Sequence, residues 1–196
     1  MINKILATVA ISLGMVGAAS AATVVLNDDF NYGVDDYLNI SDPFLRPNWT
    51  VTPTLDYLGT SGLFTGLCRG TGGCLDLDGS TNNAGVLTSV MSFAAGTYDL
   101  AIQLFGNGRG AADDSVTITL GTYSVTLGPI ASAADASQIL HFTTTGGTLS
   151  FSNAGGDNQG AILSSVKLTA VPLPSGGLLL LGGLAGFAAL RRRKSV

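Results

Sequence analysis

Aspartate is the residue of this chain best suited to do chemistry, since all thirteen acidic residues are Asp and none is Glu. Carboxylate oxygens are the ligands that calcium prefers, and the candidate ligands are Asp28, Asp76, Asp78 and Asp157. The other interpretation is that these side chains cap strand ends and solvated turns, where Asp is common. We therefore expect no cofactor, with a structural calcium ion as the open alternative.

Known catalytic and calcium motifs do not fit the sequence. Asp76-Leu77-Asp78-Gly79 begins like an EF-hand loop, but its glycine falls at the fourth position instead of the sixth, and Leu87 stands where a Glu is required. No nucleophile motif surrounds the sole histidine, His141. The glycine-rich segment 106–110 lacks the lysine of a phosphate-binding loop and predicts a hairpin end. The sequence predicts no catalytic residue and no enzyme.

Aromatic side chains offer another route to ligand binding, because they can stack on sugar rings. The candidates are Trp49, Tyr32, Tyr37 and Tyr57, although Trp49 also suits a hydrophobic core. Loops carry most recognition in compact domains. A ligand site is therefore expected among residues 28–36, 76–83 and 157–159.

Cys68 and Cys74 are the only cysteines, and the segment between them contains three glycines. In an oxidising exported compartment such a pair predicts a disulfide. Two thiols alone are too few ligands for a structural metal site.

The charge distribution separates the termini from the interior. Residues 23–170 hold four basic residues against all thirteen aspartates, a net charge of −9. Nucleic acid is excluded as a partner, because its phosphates require a cationic surface. The same charge favours a neutral or cationic polysaccharide over an anionic one.

Short predicted strands, separated by Gly, Asn and Asp, fill the interior. Alternation places Tyr98, Leu100, Ile102 and Leu104 on one face of a strand. Further strands are predicted at 49–52, 75–78, 86–93, 116–120, 123–127, 139–144, 148–152 and 162–169, with a tight hairpin turn at Leu120-Gly121-Thr122. The pattern predicts one all-β domain at residues 22–170, a β-sandwich or jelly roll.

The first 21 residues have the features of a secretory signal peptide. Lys4 precedes an apolar run from Ile5 to Val16, and small residues follow. Peptidase cleavage is predicted after Ala21 or Ala22. The apolar run is shorter than the roughly 20 residues that a membrane anchor needs.

Residues 171–196 combine three features in a fixed order. A proline-containing motif, Val171-Pro172-Leu173-Pro174, precedes a predicted short transmembrane helix at 176–190. A basic end follows at 191–194, where Arg191, Arg192, Arg193 and Lys194 would remain in the cytoplasm.

This ending closely resembles the PEP-CTERM class of sorting signals, in its variant that begins Val-Pro-Leu-Pro (VPLPA-type). The resemblance implies recognition by an exosortase, a membrane transpeptidase of Gram-negative bacteria. The enzyme would cut the tail near residues 171–175 and release the domain or join it to a surface carrier.

The exported domain is similar to β-sandwiches of the galactose-binding type that precede such tails. The motifs that carry the resemblance are Asn27-Asp28-Asp29-Phe30, Trp49-Thr50-Val51, Cys74 to Gly79, Gly96 to Leu100 and Gly156-Asp157-Asn158. The resemblance implies a jelly-roll sandwich that binds sugars at loops on one end, often beside a structural calcium. Ser164-Ser165 stands where the closing strand of that family usually carries an acidic residue.

These features predict an exported, noncatalytic cell-surface or extracellular-matrix protein of a Gram-negative bacterium. An inner-membrane precursor would be processed by an exosortase, and the mature domain would interact with exopolysaccharide or another envelope glycan. The alternatives are a structural envelope or biofilm protein without a specific ligand, and a hydrolase.

Overall fold

The computed structural model describes residues 21–41, 47–70, 72–80, 83–110 and 114–172. The signal peptide up to Ser20 and the tail from Leu173 onward, including Pro174 and the basic end, lie outside the described residues. The predictions for those segments stay predictions. Within the described ranges, no helical segment is long and apolar enough to cross a bilayer.

Strands dominate the described residues, and the regular helical structure among them is a 3₁₀ turn at Thr65–Leu67. The strands are β1 (Thr23–Asp28), β2 (Tyr37–Ile40), β3 (Trp49–Thr52), β4 (Leu55–Leu58), β5 (Cys74–Asp76), β6 (Val86–Phe93), β7 (Gly96–Phe105), β8 (Asp114–Leu120), β9 (Tyr123–Ile130), β10 (Gln138–Thr144), β11 (Gly147–Asn153) and β12 (Ile162–Val171).

Two antiparallel sheets form a sandwich, which confirms the predicted fold class. The seven-stranded sheet has the order β10-β7-β12-β5-β4-β2, and β1 also pairs with β12. The five-stranded sheet has the order β3-β6-β11-β8-β9. β12 is the central strand of the larger sheet: β7 pairs along one side from Ile162 to Val171, while β1 and β5 share the other side.

The core lies between the sheets and contains the alternating residues that the sequence pattern predicts. Tyr98, Leu100, Ile102 and Leu104 of β7 are all buried. Trp49 of β3 is fully buried, and its ring packs against that of Phe151 with 6.0 Å between centroids. In β9 the corresponding side chains are half-buried, since this strand lies at the edge of its sheet.

The structure differs from the predicted strands at three points. β5 ends at Asp76, not at Asp78, so the two carboxylates do not share one strand. Segment 106–110 is not a hairpin end, because β7 belongs to the larger sheet and β8 to the smaller one. Strands β1, β2 and β4 were not predicted. The compact unit runs from Ala22 to Val171.

The predicted disulfide is confirmed. Cys68 and Cys74 are bonded, with 5.3 Å between their Cα atoms. Gly73 lies against the chain at β4: a Cβ at this position would stand 2.7 Å from the carbonyl oxygen of Phe30 and 2.8 Å from that of Leu58. The disulfide loop is therefore packed against the sheet at a point where only glycine fits.

Candidate ligand-binding cleft

One buried carboxylate holds the loop that leads into β12. Asp78 is fully buried just beyond β5. Its Oδ2 accepts hydrogen bonds from the backbone N–H groups of Gly156, Asp157 and Asn158, at 2.9, 3.0 and 2.9 Å. Loop amides of this kind need partners when the chain is packed against a core. Asp78 thus fixes the position of segment 156–158.

A second buried carboxylate, Asp76, orients Arg109. The Oδ1 of Asp76 accepts hydrogen bonds from the N–H groups of Asp78 and Gly160, at 3.1 and 2.7 Å, and its Oδ2 pairs with the guanidinium of Arg109. Burial raises the pKa of Asp76 to about 6, against the opposing effect of Arg109 and the two N–H donors. The side chain of Arg109 is 27% exposed, so it lies between this carboxylate and solvent.

A cleft of about 290 Å³ opens beside this ion pair. Residues from five separate segments line it: Asp56, Leu58, Phe64, Ser80, Arg109, Asn158 and Gln159. Asp56 is buried in β4, where its Oδ1 accepts the N–H of Asn39 and its Oδ2 accepts the hydroxyl of Ser80, both at 2.6 Å. These bonds fix the polar wall of the cleft.

The cleft combines apolar and hydrogen-bonding surface. Phe64 is half-buried and Leu58 is buried. Asn158 has a positive φ of 73° and an exposed side chain. Ligand sites in proteins share this composition, in which apolar lining is combined with a few fixed polar groups.

Asp28, a predicted calcium ligand, is the centre of a hydrogen-bond network. Its Oδ1 accepts the N–H of Phe30, and its Oδ2 accepts from Tyr32 Oη, Asn48 Nδ2 and Trp49 Nε1, all at 2.9 Å. Four donors already occupy its two oxygens. The role of Asp28 is therefore to join β1 to β3 and to the segment between them.

Three of the four predicted calcium ligands, Asp76, Asp78 and Asp157, lie in one region, and Asp28 lies apart from them. Asp28 pairs with Val166 of β12 and Asp76 with Ile162, so the two lie four residues apart along that strand. Asp157 is exposed, and its Oδ1 accepts the N–H of Gln159 at 3.2 Å. Among the described residues, no three His, Cys, Asp or Glu side chains are arranged as metal ligands.

The predicted sugar-stacking aromatics lie mostly in the interior. Trp49 and Tyr57 are fully buried, and the hydroxyl of Tyr32 bonds to Asp28. Tyr37 is 48% exposed. The aromatic side chain that lines the cleft is Phe64, which the sequence analysis missed because no periodicity marks it.

Two of the three predicted loop segments reach the cleft. Segment 76–83 contributes Ser80, and segment 157–159 contributes Asn158 and Gln159. Segment 28–36 does not line it; Asp35 and Asp36 border a separate, more open hollow with exposed Leu63. Arg109 was not predicted, although the glycine-rich segment 106–110 marked its loop.

His141 lies outside the cleft. Its side chain is 66% exposed, and Nδ1 is 2.6 Å from Oδ1 of Asp99 on the neighbouring strand β7. The pair is a cross-strand contact on the outer face of the larger sheet.

No protein-family model matches the sequence, and no curated protein matches it either. Several solved structures resemble the chain. The K3 adhesin domain of Lys-gingipain from Porphyromonas gingivalis is 13% identical, with a TM-score of 0.44 over 76% of this chain and 99% of that one. A family 35 carbohydrate binding module from Clostridium thermocellum is 11% identical, with a TM-score of 0.35 over 69% and 98%.

An exo-beta-1,3-galactanase from Phanerochaete chrysosporium is 17% identical, with a TM-score of 0.39 over 69% of this chain. The chain spans less than a third of that enzyme, 29% of its length. All three likenesses concern the fold and identify no ligand for this chain.

Proposed function

We propose that this chain is an exported, noncatalytic surface or matrix protein whose β-sandwich binds a neutral glycan in the cleft beside Arg109. The observation that carries the proposal is the composition of the cleft. Apolar surface from Phe64 and Leu58 lies beside hydrogen-bonding groups of Arg109, Ser80 and Asn158. A sugar ring combines the same two kinds of surface, because its C–H faces are apolar and its rim carries hydroxyl groups.

The charge of the domain supports a neutral ligand. Residues 23–170 carry a net charge of −9, and the guanidinium of Arg109 at the cleft is paired with Asp76. An anionic polymer would be repelled at low ionic strength. A neutral or cationic polysaccharide would not experience this electrostatic repulsion.

The arrangement of the carboxylates supports binding without chemistry. Asp76 is held by Arg109 and two N–H groups, and Asp56 by Asn39 and Ser80. Each carboxylate thus serves to position the wall of the cleft. His141, a potential base, lies on the outer face of the larger sheet.

The disulfide supports export, because such bonds persist in oxidising compartments. We assign the C-terminal 26 residues to processing by an exosortase. β12 ends at Val171, and the proline at 172 lies directly after the last paired residue. A cut within residues 171–175 would therefore leave the sandwich intact.

The test is to titrate neutral and acidic polysaccharides into the protein recovered from the cell surface or medium, while assaying for released reducing ends. Phe64→Ala should weaken neutral-glycan binding about tenfold, equivalent to about 1.4 kcal/mol. Leu63→Ala is the matched control, since Leu63 is a neighbouring apolar residue, 94% exposed, that does not line the cleft.

A second variant tests the polar side of the cleft. Asn158→Gly accommodates the positive φ of this position and removes the whole side chain with its amide, so it should weaken binding without unfolding the loop. Steady release of reducing ends would favour a hydrolase and contradict the proposal. Equal affinity of the wild type and both cleft variants would show that glycan binds elsewhere.

A structural role without a specific ligand is the second candidate. Tyr37, Leu38 and Leu63 are large apolar residues that are 48, 47 and 94% exposed, and Leu38 and Leu63 border the same hollow. Exposed apolar patches often mark protein contacts. Absence of binding to every envelope glycan, together with self-association that Leu63→Ala abolishes, would favour this role.

A further inference from the structure

Gln159 Oε1 and Ser164 Oγ are buried without a hydrogen-bond partner within the described part of the chain, and so are three further oxygens that lie close together: Asp78 Oδ1, Asp114 Oδ2 and Asn153 Oδ1. The residues of these three oxygens are only 0, 3 and 5% exposed. Buried polar atoms in folded proteins are nearly always hydrogen-bonded, because an unpaired one has lost its contacts with water. Three unpaired acceptors in one region indicate a partner that is not part of the polypeptide.

The three side chains converge from three elements. Asp78 follows β5, Asp114 begins β8 and Asn153 ends β11. Asn153 Nδ2 donates to Asp114 Oδ1 at 3.1 Å. Asp78 Oδ1 and Asn153 Nδ2 each lie 2.5 Å from the point that a Cβ would occupy at residue 155. Because residue 155 is a glycine, both side chains can lie this close to its backbone.

Asn153 points to a ligand independently of the two acids. Its amide nitrogen is committed to Asp114, so its buried Oδ1 is a neutral oxygen acceptor without a donor. A proton shared between Asp78 and Asp114 would satisfy two of the three oxygens and leave this one unpaired. A water molecule could donate hydrogen bonds to two of the three oxygens, but it would leave the negative charges of Asp78 and Asp114 uncompensated.

Negative charge accumulates at this point. The carboxylates of Asp78 and Asp157 lie near enough to that of Asp114 for their charges to interact. Arg109 is paired with Asp76. Among the described residues, no ion pair involves Asp78 or Asp114.

We propose that Asp78 Oδ1, Asp114 Oδ2 and Asn153 Oδ1 are ligands of a calcium ion. Two carboxylates and an amide oxygen are hard ligands, and water can complete the shell because residues 154–157 are exposed. The site differs from the one implied by the family resemblance, which uses the closing strand where this chain has Ser164-Ser165. Of the four aspartates predicted from the sequence, only Asp78 is a ligand.

The test uses the full-length chain in mild detergent, stripped with EGTA, with no glycan present. Calcium chloride is titrated by calorimetry, and thermal unfolding is followed in the same samples, with magnesium chloride in parallel. We expect one calcium ion per chain and a Tm that rises with calcium concentration, since binding to the native state stabilises it. Asp114→Asn should lower the affinity for calcium at least about tenfold.

Asp157→Asn is the matched control, because it removes a neighbouring charge but no unpaired buried oxygen. Native mass spectrometry of the wild type provides a readout that needs no variant: an adduct of one calcium that EGTA removes. Absence of both heat and adduct would overturn the proposal, as would magnesium binding as tightly as calcium. Equal calcium affinity in Asp114→Asn and Asp157→Asn would place the ion elsewhere and also overturn it.

Discussion

At the scale of single residues, the aspartates of this domain act mainly as acceptors for specific donors. Asp28, Asp56, Asp76 and Asp78 are all buried, and each accepts hydrogen bonds from groups remote in sequence. Judged by sequence alone, these aspartates could either bind calcium or cap turns. The sequence does not separate these roles, because the donors, such as the indole of Trp49, come from other segments of the chain.

Asp28→Ala should lower the free energy of unfolding by about 3 kcal/mol, because it leaves the buried indole N–H of Trp49 and the side chains of Asn48 and Tyr32 without their acceptor. Chemical denaturation of the two proteins measures the difference. Asp29→Ala is the control: Asp29 is exposed and accepts one local bond from Asn31, so we expect a loss below about 1 kcal/mol. Similar losses in both variants would contradict this role of Asp28.

At the scale of elements, alternation decided which strands could be predicted. β3 and β6 have the predicted bounds, because their side chains and turn residues follow the expected pattern. β4 is buried at all four positions, Asp56 included, and so shows no alternation. β2 contains Asn39 at a φ of 56°, which no sequence pattern indicates. The missed strands are short ones whose environment is set by tertiary packing.

Gly73→Ala should destabilise the domain by about 1–3 kcal/mol, the range typical of overpacking in a well-packed interior. The added methyl group would stand 2.6 Å from the hydroxyl of Tyr57 and under 3 Å from two backbone oxygens. Thermal unfolding under oxidising conditions gives the measurement. Gly66→Ala, which meets no atom within 4 Å, should change stability by less than about 0.5 kcal/mol. An unchanged Tm in Gly73→Ala would show that the disulfide loop can move aside.

At the scale of the whole molecule, the fold class was predictable and the cleft was not. Regular strands separated by turns are enough to indicate a sandwich. The cleft needs Phe64, Arg109 and Asn158 to meet, and they lie in segments that only the folded chain brings together. Turn residues in the sequence indicate two of the loops that form the cleft, but they do not show which side chains face one another.

The two ends of the compact unit are neighbours, because Thr23 pairs with Ala170 across β1 and β12. We expect the mature protein to begin at Ala22 or Thr23 and to end within residues 171–175, with both strands complete. Intact-mass analysis of surface or medium fractions measures both ends. Deleting the exosortase should leave the precursor in the inner membrane. A surface product that still carries Arg191 to Lys194 would contradict this prediction.

The position of β12, between the cleft and the C-terminal end of the sandwich, has a mechanical consequence. The loop holding Asn158 and Gln159 leads into β12, and the strand runs about 33 Å, at about 3.3 Å per residue over ten residues, to Val171. If the protein is attached to the surface at its C-terminus and binds a polymer in the cleft, a pull on the polymer would be transmitted along this one strand. β7 flanks it on one side and β1 with β5 on the other. Such a pull loads the hydrogen bonds in shear, so they resist together instead of opening one after another.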